Sequence, residues 1–233
     1  MEIRFHGHAC FEVSSKQGRI LIDPFLSNNP SADVSPMDFE ELDAILVSHG
    51  HSDHLGDAIE LSRRTGAPII GVYELARLCE KRGAATHAMH IGGKHLFKFG
   101  LVRLTHALHG SVFEPQGEEE SFDYAGLACG FLIQIEGKWL YHSGDTGLFG
   151  DMELIGRRHP LEVAMLPIGD NFTMGPEEAI FATTYLRPKR VIPMHYNTFP
   201  LIQQDASEFT ENLRRKCPES EGVILTPGQA ITL

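Results

Sequence analysis

The amino-acid sequence predicts an α/β fold in which β-sheets are covered by helices on their outer faces, and three observations carry that prediction. Short strands follow one another at the start, strand and helix signals then alternate along most of the chain, and two short strands close it as a hairpin. Alternating or continuous apolar runs place strands at 3–5, 10–13, 19–22, 44–47 and 69–72. Further strands fall at 96–99, 102–105, 128–135, 139–141, 163–166 and 191–193, with the closing pair at 223–225 and 230–232.

The helices fall between these runs. In "HLGDAIELSRRTG" Leu55, Ile59 and Ser62 recur at helical spacing up to Gly66, and "YELARLCEKRG" is a second helix that stops at Gly83. "GPEEAIFATTYLRP" has Pro176 at a first-turn position, Glu177 and Glu178 where the helix dipole favours carboxylates, and Pro188 just past the end. "DASEFTENLRRK" sets Asp205 and Glu208 at capping-box spacing and aligns Ala206, Phe209 and Leu213 on one face. These signals do not give the number of layers. No repeat with a period of roughly 20–50 residues and no linker composition divides the 233 residues, so a single domain, 1–233, is expected. The span 110–126, with its acidic run, reads as a solvated loop.

Apolar residues make up 42% of the chain and charged residues 22%, enough apolar material for a buried core. With 31 acidic against 20 basic residues the formal charge is -11, so the outer field repels nucleic acid and anionic membrane surfaces, and no basic run offsets it. Neither is expected as a partner. Cys10, Cys79, Cys129 and Cys217 form no C-x-x-C pair, which argues against a zinc ribbon or redox motif and for reduced thiols. No leader pattern opens the sequence and no apolar run approaches the ~20 residues that span a bilayer, so a cytoplasmic location is expected.

The densest chemistry lies in "VSHGHSDHLGD". A buried strand ends near Val47 and a helix begins near Asp53 or His54. His49 and His51, two apart in extended chain, point their imidazoles to one side, and Asp53 and His54 follow on the next turn. A His-rich turn capped by Asp53 would be the plain structural reading. Imidazoles and a carboxylate converging on a small volume are what a two-metal site requires, and one strand-to-helix turn delivers them together.

His49-Gly50-His51-Ser52-Asp53-His54 resembles the signature of the metallo-β-lactamase superfamily. The resemblance spans essentially the whole chain and implies a four-layer αββα sandwich, two mixed sheets flanked by helices, with a dinuclear site at one edge. It also implies a further His, a bridging Asp and a final His at later strand ends. His106 and His109 compete for the first, and the small residues Gly110 and Ser111 behind His109 favour the latter. Asp145 in "WLYHSGDTG" and His195 in "RVIPMHYNTF" match the other two. Carried over, one site is His49, His51 and His109, the other is Asp53, His54 and His195, and Asp145 bridges. The flavin-linked di-iron branch has Glu where His51 stands and carries a flavodoxin domain absent here. Zinc or manganese is therefore expected at two positions, although nickel and iron suit such ligands as well.

"RFHGHACFEV", "ILIDPFLSNNP", "LPIGDNFTMGPEEA" and "PMHYNTFP" look most like the stand-alone hydrolases of the UlaG-like branch, named for a lactonase. In such a site two ions about 3.5–4 Å apart hold a hydroxide, since a metal lowers the pKa of water from about 15.7 toward 7. Asp53 would aim it, and His8, Tyr196 or Asn171 would serve the leaving group. His8 reads equally as a packing histidine, Asn171 as a turn residue, and His142 as a support for the ligands. The implied function is hydrolysis of a small-molecule ester, lactone or phosphoester, with homo-oligomerisation compatible. A nuclease acting on RNA and a non-catalytic metal sensor are the alternatives, and the acidic balance weighs against the first.

Overall fold

The computed structural model describes residues 1–113 and 122–233. Strands β1 (Glu2–Phe5), β2 (Phe11–Ser15) and β3 (Gly18–Ile22) are joined by short connections and pair antiparallel. The next strands, β4 (Ala44–Leu46), β5 (Ile69–Val72) and β6 (Thr86–Met89), add in parallel. Parallel neighbours need crossovers. These are α1 (Ser52–Leu55) with α2 (Ala58–Thr65), and then α3 (Tyr73–Lys81).

The second half repeats the plan. Strands β7 (Lys94–Phe97) and β8 (Gly100–His106) lead to a separate antiparallel pair, β9 (Val112–Phe113) with β10 (Asp123–Tyr124). Then β11 (Cys129–Ile135) and β12 (Lys138–His142) continue antiparallel with β8. After α4 (Met152–Arg158), strands β13 (Leu161–Pro167), β14 (Arg190–Met194) and β15 (Glu221–Gly222) add in parallel, with α5 (Pro176–Leu186) and α6 (Ala206–Lys216) as crossovers. Strand β16 (Ala230–Thr232) returns to pair with β1. The two seven-stranded sheets run β16-β1-β2-β3-β4-β5-β6 and β15-β14-β13-β12-β11-β8-β7.

Alternation along β13 shows how the layers stack. Val163 and Met165 join the core shared with Phe11, Val13, Ile20 and Ile22 of the first sheet. Ala164 and Leu166, pointing the other way, pack with Ala179 and Ile180 of α5 and with Phe209 and Leu213 of α6. Both sheets are mixed, face each other and carry helices outside, which is the αββα sandwich that the resemblance implied. The cysteines are buried and free, and burial pushes the Cys79 thiol up to about 12. No helix among the described residues is long and apolar enough to cross a membrane.

Local signals place α5 and α6 where the sequence does. Gly175 caps α5 ahead of Pro176, and the Asp205 carboxylate accepts from the Ser207 and Glu208 amides at 2.8 and 3.1 Å. Two expectations are corrected. The closing strands form no hairpin: the Val223 amide donates to Val191 of the second sheet, while Gly228 donates to Phe5 and sends β16 to the first. The helix expected across 54–66 breaks at Gly56, whose positive φ of 42° accompanies close packing against the Pro24 backbone. Strands β6, β9 and β10 and helix α4 had no clear apolar period, and residues 114–121, the centre of the expected acidic loop, lie outside the described residues.

Glu12 on β2 is the most strongly shifted acid outside the site described below. Its carboxylate accepts from Arg19 Nε at 2.8 Å and Nη2 at 3.0 Å and lies 3.4 Å from His6 Nε2. Burial raises its pKa, but the hydrogen bonds of His6 and Arg19 and the Arg19 charge outweigh this and hold it at about 2. A depressed carboxyl contributes stability above its ordinary 4.5 that disappears as pH falls toward 2. Arg19 keeps 39% of its side chain exposed, so solvent screens part of the attraction. Denaturant unfolding of Glu12→Gln is expected to show a loss of about 1–2 kcal/mol at pH 7 that shrinks toward zero near pH 2. An equal loss at both would assign the effect to packing.

Candidate metal centre

The site lies where loops leave both sheets at one edge. From the first sheet come His8, after β1, and the turn after β4, which carries His49, His51, Asp53 and His54. From the second come His109, Asp145 and His195, beyond the ends of β8, β12 and β14. A short backbone turn makes this convergence feasible only where side chains are absent: a Cβ on Gly50 would meet Ala125 Cβ at 2.8 Å, and Gly144, at φ 59°, packs against Ser48.

Donor atoms of His49, His51 and His109 lie within 4.8 Å of one another, as do those of His8, Asp53, His54 and His195. Asp145 stands between the two groups. Its Oδ2 is 2.9 Å from His195 Nε2 and 3.7 Å from His109 Nε2, and its Oδ1 is 3.2 Å from His54 Nε2. Asp53 Oδ2 is 3.2 Å from His8 Nε2 and 3.6 Å from His195 Nε2.

Outer partners orient the rings. His54 Nδ1 faces Asp23 Oδ2 at 2.8 Å, so Nδ1 donates there and Nε2 turns inward. His49 Nδ1 is 3.0 Å from Ser48 Oγ, and that hydroxyl donates to the same Asp23 at 2.7 Å. His8 Nδ1 meets Thr198 Oγ1 at 2.8 Å. His142 Nε2 donates to the Ala9 carbonyl at 3.0 Å while its Nδ1 accepts the Gly144 amide at 3.1 Å, which fixes the turn that presents Asp145.

Several buried atoms here form no hydrogen bond among the described residues, whatever their ionic contacts: His54 Nε2, Asp145 Oδ1 and both ring nitrogens of His195. His54 Nε2 and Asp145 Oδ1 lie 3.2 Å apart without forming a hydrogen bond. A group of imidazoles and carboxylates with buried polar atoms left unpaired fits divalent cations, which would supply the missing partner.

The electrostatics agree with that fit. Burial pushes Asp145 up, but His195 and His54 beside it hold it well below the carboxylate range. Burial lowers His195, but the Asp145 carboxylate outweighs this and raises it to about 9, and His54 is raised in the same way. The same carboxylates that raise these imidazoles would favour a divalent cation among them. His49, buried among imidazoles, is held well below its ordinary value, and burial with the neighbouring His195 holds His8 at about 4.

A cavity of about 740 Å³ opens over the cluster, lined by His51, Asp53, His109, Asp145 and His195 among others. Not every expected residue reaches it. Asn171 does not line it: both it and Asp170 take left-handed backbone, its amide donates to Asp170 Oδ1 at 2.9 Å, and the next residue, Phe172, lines the cavity instead. Tyr196 packs against the core under α5 and α6. His8 touches Asp53 but is itself covered. His106 stands edge-on to Phe149, outside the cluster. Sequence reasoning missed Asp23, Ser48 and Thr198, and the one local signal was the apolar run "ILI" ending in a carboxylate.

Comparison with known proteins converges on the same region. The family model described as a β-lactamase superfamily domain matches residues 18–196, which spans β3 to just beyond His195. A UPF0173 metal-dependent hydrolase of Desulfitobacterium hafniense (strain Y51) is 74% identical over all of this chain and 99% of its own length. The structure of Igni18, a metallo hydrolase from Ignicoccus hospitalis, superposes with a TM-score of 0.88 at 34% identity, covering 100% of this chain and 97% of the other. An isothiocyanate hydrolase from Delia radicum gut bacteria shares the fold at a TM-score of 0.78 and 19% identity, covering 100% and 99%. Fold, family model and relatives together establish that this chain belongs to the metallo-β-lactamase superfamily and is one of its metal-dependent hydrolases.

Proposed function

We propose that the chain hydrolyses a small-molecule ester, lactone or phosphoester at a centre that holds two divalent ions, zinc or manganese. The observation that carries this reading is the carboxylate of Asp145 between two groups of donors. His49, His51 and His109 would hold one ion, Asp53, His54 and His195 the other, and Asp145 would touch both. Bound there, the ions would bring the pKa of water from about 15.7 toward 7 and polarise the substrate oxygen.

The protein's own groups do the positioning. Asp23 and Ser48 hold His54 and His49 in the tautomers that point Nε2 inward. Asp53 lines the cavity and its Oδ2 accepts from His8 Nε2, whose ring is neutral at pH 7 and is held from behind by Thr198. His8 therefore acts through Asp53, as a positioning residue, and keeps that carboxylate aimed into the cavity.

The test is elemental analysis of protein purified without a metal-affinity tag, followed by turnover on ester, lactone and phosphodiester panels. About two ions per chain with turnover is the expected result. Two ions with no turnover would favour a metal sensor, and tight, salt-dependent RNA binding would favour a nuclease.

A further inference from the structure

The walls of the cavity differ from its floor. Phe25, Leu55, Phe113, Phe172 and Phe199 line it, and Phe172 and Phe199 keep 55% and 39% of their surface exposed at its rim. Large aromatic surface left in water beside a reactive cluster marks a place where a ligand covers it. The wall is anchored directly to the site: the His8 ring lies 5.6 Å from both Phe25 and Phe199 and 4.0 Å from His195, and the two phenylalanines are 6.3 Å apart.

The remaining polar lining is neutral or acidic. Asn28 and Ser52 are uncharged, and the Asp57 carboxylate is already occupied by the Leu26 and Ser27 amides at 3.0 and 2.9 Å and by the Ser27 hydroxyl at 2.6 Å. Among the described residues no Lys or Arg lines the cavity. Arg82, nearby, is stacked 3.9 Å from the Phe113 ring centroid and is not part of the lining. Phosphate and carboxylate recognition relies on bidentate Arg or on Lys, and Arg63 and Arg82 line an adjoining pocket that shares Asp57 rather than this one.

We propose that these walls select substrates whose non-reacting portion is apolar and uncharged, aryl or alkyl groups in place of groups that carry a distal anion. The inference rests on the hydrolase reading above and narrows it. The reacting carbonyl sits at the Asp53–Asp145 end, while the aryl or alkyl group lies against Phe172 and Phe199 and displaces water from them.

The test compares phenyl butyrate with 4-sulfophenyl butyrate on the metal-loaded protein. A sulfonate is a poor metal ligand and makes the phenol a slightly better leaving group, so intrinsic reactivity favours the charged ester. A kcat/KM at least about tenfold higher for the neutral ester is expected. Phe172→Ala and Phe199→Ala should each raise KM for it several-fold with kcat little changed, and Phe172→Arg should narrow or invert the preference. Equal or better turnover of the sulfonated ester, or unmoved KM in both alanine variants, overturns the proposal. If neither ester is cleaved, the hydrolase reading fails on these substrates, and calorimetry with butyranilide and its 4-sulfonate still decides the walls. Tighter binding of the neutral anilide, lost in Phe172→Ala, sustains the selectivity, whereas equal or weaker binding ends it.

Discussion

Asp145→Ala is expected to lower bound metal from about two ions per chain to one or none and to cut turnover by ~10³-fold or more, the scale seen when one member of a reacting constellation is removed. Asp145 is 3% exposed, and its two oxygens face His54, His195 and His109 at 3.2, 2.9 and 3.7 Å. No other carboxylate among the described residues stands between the two histidine groups. Its Oδ1 forms no hydrogen bond among the described residues, and Oδ2 faces His195 Nε2 at 2.9 Å, so the variant loses buried ion pairs and no backbone contact. The unfolding transition of the variant should accordingly stay cooperative while elemental analysis and turnover fall together. Unchanged metal content would remove Asp145 from the shared position and require a different pairing of donors.

The second large effect is expected one layer out, at Asp23. This buried carboxylate, in left-handed backbone at φ 46°, accepts the Ser48 amide at 2.8 Å and the Ser48 hydroxyl at 2.7 Å, and faces His54 Nδ1 at 2.8 Å. Asp23→Ala strands three buried groups at once and is expected to cost about 3 kcal/mol of stability, with metal affinity down ~10–100-fold. Asp23→Asn separates the two effects. One amide oxygen must accept from Ser48, which leaves the NH₂ facing His54 Nδ1 and moves the imidazole proton to Nε2, the inward atom. The Asn variant should therefore keep most of the stability and lose the affinity, as denaturant unfolding and metal titration would read. Retained affinity in Asp23→Asn would mean that the tautomer is set elsewhere.

The turn from His49 to His54 was legible in the sequence because its geometry is local: extended chain aligns two histidines and the following helical turn presents the next pair. His109, Asp145 and His195 were legible only through resemblance, since each sits alone at a strand end and nothing in its neighbourhood tells which sheet edge it will meet. The role of Asp23 was not legible. It depends on the pairing of β3 with β4, which brings Ser48 alongside, and a single carboxylate after an apolar run carries no mark of that partner. The misplaced closing hairpin has a similar origin. Apolar alternation identifies strands but does not assign them, and β15 and β16 belong to different sheets although only a short loop separates them. The broken helix at 54–66 kept helical spacing on both sides of Gly56, so periodicity alone could not reveal the break.

The division of donors between the sheets ties the chemistry to mechanical integrity. His49, His51, Asp53 and His54 hang from the first sheet, and His109, Asp145 and His195 from the second. Any ion gripped by both sets is a clasp across the open end of the sandwich, and its binding free energy is also free energy of keeping the two halves of the chain together. By mass action, an ion present at 100 times its dissociation constant adds about 2.7 kcal/mol to the folded state. Chelation would therefore do more than silence a catalyst: it would also lower the stability of the folded chain.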